Sequence, residues 1–215
     1  FGVAVAPSGK VYVSNQNANT VSVIDPANGN TVTTISNAGF NSPRGVAVAA
    51  DGKVYVANYA AGAGTSVFVI DPANGNAVTA IAGFSAPWGV AVAPSGKVYV
   101  TNYTGNSLGI IDPANGNALT TIANVGVNPN GVAIAGSGAV YVTNNGGNTV
   151  AIIDPVSQTV TDSVVVGSAP NAVAVAGSGT AYVANNGTGQ NSVSVLAPGA
   201  PNGTDGGIGG LGGNG

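Results

Sequence analysis

Gly89-Val90-Ala91-Val92-Ala93-Pro94-Ser95-Gly96-Lys97-Val98-Tyr99-Val100-Thr101-Asn102 decides the reading of this chain, because the phrase returns along its whole length. Its opening glycine has counterparts at Gly2, Gly45 and Gly131, and Ala172 holds the same place in a fifth copy. The copies start 43, 44, 42 and 41 residues apart. The closing Tyr-Val-Thr-Asn recurs unchanged at Tyr141 to Asn144. Inside each copy, short stretches with a period of two are separated by Pro, Gly and Asn, the pattern of antiparallel strands rather than of a helix. In the first copy these stretches, a to d, are Gly2 to Ala6, Lys10 to Ser14, Thr20 to Ile24 and Thr31 to Ile35.

The connections carry turn chemistry. Pro7-Ser8-Gly9 joins a to b, and Asp25-Pro26-Ala27-Asn28-Gly29-Asn30 joins c to d, placing Pro and Gly where a preset or positive φ is needed. Asp-Pro returns at Asp71, Asp112 and Asp154, where the carboxylate is expected to cap turn amides. Stretch a alternates Val with Ala, so neither face is polar and both are expected to be buried. Tyr12, Tyr55, Tyr99, Tyr141 and Tyr182 occupy one position of stretch b and are expected to pack between repeats. A period in the forties with four strands per repeat reads as one propeller blade per copy.

The expected architecture is therefore all-β, a β-propeller of four-stranded antiparallel blades. Five repeats are visible, starting near residues 2, 45, 89, 131 and 172. The fifth has Pro198, Gly199 and Pro201 where its outer strand would begin, so nineteen strands are expected. Residues 1–198 form the propeller, and 199–215 read as a Gly-rich flexible tail or linker.

Composition narrows the chemistry. The 215 residues contain 4 Lys plus Arg, 7 acidic residues that are all Asp, no His and no Cys, for a net charge of −3. Dispersed Lys10, Arg44, Lys53 and Lys97 do not make a nucleic-acid surface, which needs clustered cations. Without Cys there are no disulfides or thiolate metal sites. No run of about 20 apolar residues is present to span a bilayer. Calcium would need several converging oxygens, and one Asp per repeat keeps them apart, so neither a metal nor another cofactor is expected.

The stretch Pro87 to Asn102, followed by Ser107-Leu108-Gly109-Ile110-Ile111-Asp112, closely resembles the YVTN β-propeller repeat, a relative of the NHL repeat, and the likeness runs from Gly2 to about Leu196. The resemblance implies radially arranged blades with stretch a nearest the axis. It implies an exported or surface-associated bacterial or archaeal setting, here extracellular or at the cell surface, and it implies no catalytic residue set. The tail Gly206-Gly207-Ile208-Gly209-Gly210-Leu211 resembles the glycine-rich segments attached to mycobacterial surface proteins, with an ordinary linker as the alternative.

Ligands of propellers sit on the face made by the d to a and b to c loops, which vary here. The residue before each stretch a is Phe1, Arg44, Trp88, Asn130 or Asn171, and Tyr59 and Tyr103 follow the Asn that ends stretch b. Aromatic rings for stacking and amides for directional bonds suit a protein or glycan partner. Phe40 and Phe84 are expected to join this aromatic group, with channel plugging as the alternative role for it. A chain without His, Cys or Glu is not expected to be an enzyme. The function expected from sequence is a non-catalytic extracellular binding or adhesion scaffold. Its alternative is a structural building block of a surface layer or filament, with self-association through the incomplete last blade.

Overall fold

The computed structural model describes residues 2–37, 39–188 and 190–198; Phe1 and the Gly-rich stretch from Gly199 lie outside them. Among the described residues, nineteen strands form five sheets, one per repeat, each pairing its strands antiparallel in chain order. Blade 1 comprises β1 (Val3–Val5), β2 (Val11–Asn15), β3 (Thr20–Asp25) and β4 (Thr31–Ser36). Blade 2 comprises β5 (Pro43–Val48), β6 (Val54–Asn58), β7 (Ser66–Asp71) and β8 (Ala77–Ala82). Blade 3 comprises β9 (Pro87–Val92), β10 (Val98–Asn102), β11 (Ser107–Asp112) and β12 (Ala118–Ile122). Blade 4 comprises β13 (Pro129–Ile134), β14 (Val140–Asn144), β15 (Thr149–Asp154) and β16 (Thr159–Val165). Blade 5 has three strands, β17 (Pro170–Val175), β18 (Ala181–Gly187) and β19 (Gln190–Leu196). Among the described residues helical geometry is confined to short 3₁₀ turns such as Pro26–Asn28. The chain groups into two compact units, Phe1–Gly105 with Gly109–Thr121, and Asn106–Leu108 with Ile122–Gly215.

The Asp-Pro turns form as their residues dictate. Proline opens a single 3₁₀ turn, and the following Gly-Asn pair takes the left-handed conformation, Gly29 with φ 64° and Asn30 with φ 59°. The carboxylates of Asp71 and Asp112 accept hydrogen bonds from the amides of Ala73 and Ala114 at 3.0 and 3.2 Å. Asp154 Oδ1 accepts from Val156 N at 2.6 Å. Asp25 departs from the expectation: it caps no amide and instead pairs with Lys10 at 3.3 Å.

Alternation along the strands creates two unlike faces per blade. Ala4, Tyr12 and Val23 line up across β1, β2 and β3, while Val3, Val13 and Ser22 form the neighbouring row on the opposite face. The tyrosine face of one blade meets the valine face of the next. Tyr12, Val21 and Val23 of blade 1 pack with Val46, Val54, Val56, Phe68 and Ile70 of blade 2. Tyr55, Val67 and Val69 of blade 2 pack with Val98, Val100 and Ile111 of blade 3. In the second unit, Tyr141 and Val150 of blade 4 pack with Ala181, Val183 and Leu196 of blade 5. Tyr12, Tyr55 and Tyr99 are almost wholly out of water, and burial pushes their hydroxyl pKa values up.

The glycine that opens each repeat has a packing reason. A Cβ at Gly45 would lie 2.5 Å from the Trp88 carbonyl oxygen and 2.9 Å from the Val90 nitrogen, so the first strands of blades 2 and 3 approach closely only without a side chain. Gly2 meets Arg44 O of blade 2 in the same way. Ala172, the fifth copy's departure, is exposed.

Two expectations are revised by these contacts. The first strand is not buried on both faces everywhere: Val3 and Val5 are 67% and 66% exposed. The tyrosine column is buried in four blades, but Tyr182 of blade 5 is 46% exposed. A repeated sequence position has a repeated environment only where a neighbouring blade covers it.

Candidate functional site

Each of β5, β9, β13 and β17 begins with Pro and carries a register shift shortly after it. Pro43 pairs with Asn58 and Val46 with Val56, so three steps on β5 match two on β6 across Arg44 and Gly45. The same shift lies across Trp88-Gly89 and Asn130-Gly131. Such a bulge re-aims the side chain at its centre. Bulged backbone is held by the residue before the Asn that ends stretch b: Thr101 Oγ1 and Thr143 Oγ1 accept from Gly89 N and Gly131 N, both at 2.8 Å. In blade 1, Ser14 Oγ accepts from Gly2 N at 2.7 Å and donates to the Arg44 carbonyl, linking blades 1 and 2.

In the first unit the bulges bring together Arg44, Tyr59, Trp88 and Tyr103. The Arg44 guanidinium carbon lies 3.5 Å from the centre of the Trp88 ring and 4.3 Å from that of Tyr59. Trp88 and Tyr103 stack with centroids 4.8 Å apart at 26°, and Tyr59 stands edge-on to Trp88 at 4.8 Å and 72°. All four side chains are half-buried. Burial lowers the Arg44 pKa from its ordinary value, with Tyr59 and Tyr103 opposing the shift. Arginine stays charged regardless, because its starting value is so high. The cluster is thus a fixed cation between aromatic faces, an attraction of about 0.5 to 2 kcal/mol for each cation–π contact.

The asparagines Asn130 and Asn171 come together in the second unit rather than with aromatic partners. Asn130 Nδ2 donates to Asn171 Oδ1 at 2.9 Å, and Thr143 Oγ1 donates to Asn130 Oδ1 at 2.7 Å. Asn130 is buried and Asn171 exposed. Phe1 lies outside the described residues.

Phe40 and Phe84 do not join the aromatic cluster. Both are buried in the packing between blades, Phe40 edge-on to Phe68 at 5.0 Å. Their loops turn inward because Asn58 Oδ1 accepts from Asn41 N at 2.7 Å and Asn102 Oδ1 accepts from Ser85 N at 3.2 Å. The Asn ending stretch b is accordingly an architectural tie between loop and strand. Sequence reasoning missed the Ser14, Thr101 and Thr143 hydroxyls; their signal is a recurrent Ser or Thr within an otherwise apolar strand.

Among the described residues no group of three or more acidic or other metal-ligating side chains converges. Nor is any helix among them long and apolar enough to cross a membrane.

Comparison with known proteins places the fold. Residues 84–110 match the NHL repeat. No curated protein matches the chain in sequence. Among solved structures, virginiamycin B lyase from Staphylococcus aureus is similar with a TM-score of 0.76 and 18% identity, over 94% of this chain and 71% of its own. Hydrazine synthase from Kuenenia stuttgartiensis is similar with a TM-score of 0.78 and 22% identity, over 92% of this chain and 62% of its own. A putative gluconolactonase is similar with a TM-score of 0.69 and 17% identity, over 92% of this chain and 73% of its own.

These neighbours correct the expectation of a non-catalytic binding or adhesion scaffold, together with its alternative of a surface-layer or filament building block. The same fold carries a lyase and a putative gluconolactonase alongside proteins of unknown function. The physical reason is that blades are a framework, and chemistry resides in loop residues that vary independently of it. At identities of 13 to 22% the likeness carries the fold and assigns no reaction. The chain thus has a β-propeller fold of antiparallel sheets, with an NHL repeat at residues 84–110.

Proposed function

We propose that the Arg44, Tyr59, Trp88 and Tyr103 cluster recognises a protein or glycan partner that brings a carboxylate up beside an apolar or sugar ring. The observation that carries this reading is the placement of the Arg44 guanidinium against the rings of Trp88 and Tyr59, at 3.5 and 4.3 Å. Stacking engages the faces of a guanidinium, while its donors lie in the plane of the group, where a carboxylate is gripped by two parallel bonds. Holding the cation against rings also removes its conformational freedom before a partner arrives, which lowers the cost of binding. Half-buried Trp88 and Tyr103 add the apolar surface on which a sugar or side chain can settle.

Trp88 is the sole tryptophan of the chain, so intrinsic fluorescence reports on this cluster alone. Titration with uronate oligosaccharides and with peptides ending in a free carboxylate is expected to give a saturable change in emission. Neutral oligosaccharides and amidated peptides are expected to give none, and Arg44→Met is expected to abolish the response. A panel in which no carboxylate ligand shifts the emission of the folded wild type refutes the reading. An extracellular or cell-surface setting goes with it, supported by the resemblance to exported YVTN-type proteins. Finding the protein only in the cytosolic fraction of its native cells would count against that setting.

A further inference from the structure

A second site lies in the first compact unit, at the opposite end of the strands from Arg44. Between blades 2 and 3 opens a cleft of about 190 Å³. One wall is a pair of adjacent cross-strand rows on one face of blade 2, with Tyr55, Val69 and Thr79 in the first and Asp71 with Ala77 in the second. The other is the Asp-Pro turn of blade 3, through Pro113 and Asn117, held by the proline ring and by Asn117 in the left-handed conformation at φ 64°. Tyr55 is wholly buried, yet no group among the described residues hydrogen-bonds to its hydroxyl. Burial raises the pKa of that hydroxyl, so at neutral pH it keeps its proton and can donate.

The charges around this cleft differ from those of blade 1 because of Asp51. The other four repeats carry serine at its place, as Ser8, Ser95, Ser137 and Ser178. In blade 1, which has the serine, Lys10 crosses to Asp25 at 3.3 Å. In blade 2, Lys53 Nζ turns back to Asp51 Oδ2 at 3.0 Å, and Asp71, the counterpart of Asp25, has no ion-pair partner among the described residues. We propose that the cleft binds a small neutral polyol, a free monosaccharide or cyclitol, with the Tyr55 hydroxyl donating to one ligand oxygen and the Asp71 carboxylate accepting from a neighbouring pair of hydroxyls. Size sets one limit: the volume is that of about six waters at roughly 30 Å³ each, and sites for drug-sized ligands begin near about 300 Å³. Charge sets another, since Asp51 and Asp71 outweigh Lys53 and so disfavour an anion. The amides of Asn74 and Asn117 and the Thr79 hydroxyl both donate and accept, as sugar hydroxyls do, while Val69, Ala77 and Pro113 offer apolar surface to ring carbons. A ligand oxygen beside Tyr55 also removes the cost of its unmet hydrogen bond.

Saturation-transfer NMR on the full chain, titrated with glucose, galactose and myo-inositol, tests this, with cyclohexanol and methylammonium as contrasts. At least one of the three polyols is expected to bind saturably, with a Kd on the order of 1 mM, and the two contrasts are not. Tyr55→Phe keeps the ring and Asp71→Asn keeps an acceptor for Ala73 N, so both should fold, and each is expected to weaken binding by about tenfold. Asp51→Ser is expected to release Lys53 to Asp71 and to weaken binding about threefold or more, although Asp51 does not line the cleft. Arg44→Met is expected to leave the affinity unchanged, which separates this site from the aromatic cluster. Silence of all three polyols with the folded wild type overturns the inference, as does binding of methylammonium without any polyol. So does polyol binding that survives both Tyr55→Phe and Asp71→Asn, or that disappears in Arg44→Met. Asp51→Ser binding as the wild type does would overturn the part given to Asp51.

Discussion

Replacing Tyr55 by Phe should stabilise the protein, although it removes a polar group from a strand. Tyr55 is fully buried, and among the described residues no group hydrogen-bonds to its hydroxyl. A buried donor left without a partner costs about 1 to 3 kcal/mol. Taking the oxygen away leaves a small void, worth a few tenths of a kcal/mol at about 24 cal/mol per Å³. The ring stays, and with it the contacts to Val67, Val69, Val98 and Val100. The net expectation is a gain of about 1 to 2 kcal/mol, or roughly 2 to 8 °C in Tm for a chain of this size. Urea unfolding followed through Trp88, which lies in the same compact unit, measures it as a higher midpoint with an unchanged slope. Tyr182→Phe is the control: its ring is half exposed, so the change should stay within about 0.5 kcal/mol. An unchanged or lowered midpoint for Tyr55→Phe would refute the reasoning, because it would mean the hydroxyl contributes more where it lies than it costs.

Alkali should destabilise the fold through its buried tyrosines. Burial raises the folded-state pKa of Tyr12, Tyr55 and Tyr99, whereas in the unfolded chain each titrates near about 10. Stability from this source is fully present below that unfolded value and is lost as pH climbs toward the folded values, by about 1.4 kcal/mol per pH unit for each tyrosine. Urea midpoints measured from about pH 9 upward should fall accordingly, less steeply in Tyr55→Phe, and a flat profile would contradict the assignment. Asn58→Ala should cost about 2 to 3 kcal/mol, since its side chain accepts from Asn41 N at 2.7 Å and donates to Gly39 O at 3.1 Å within a buried setting. A loss below about 0.5 kcal/mol in urea unfolding would show that the loop does not depend on that tie.

The strands and turns within each repeat were legible in the sequence because their causes are local. Alternation of Val and Ala sets the faces, Asp-Pro and Gly-Asn set the turns, and recurrence of one phrase sets the number of sheets. The bulge at Trp88-Gly89 was not legible, since Pro-x-Gly before a strand does not say that the Thr101 hydroxyl of the next strand will hold it. Phe40 and Phe84 resembled Trp88 in composition and loop position, yet their loops are drawn into the core by Asn58 and Asn102. What a loop aromatic touches depends on a hydrogen bond from a residue about 17 positions away, which no local pattern encodes.

What the chain's sequence determined by itself is the blade: four short strands, their pairing order and the two unlike faces, all consequences of interactions within about forty residues. Tertiary structure alone decided which copies of a face are covered, so that Tyr99 is buried and Tyr182 is open although both stand at one place in the repeat. It also decided that Arg44 and Tyr59 of blade 2 meet Trp88 and Tyr103 of blade 3. The reason is that a repeat specifies each unit's surface but not its neighbour, and burial and clustering are properties of the pair.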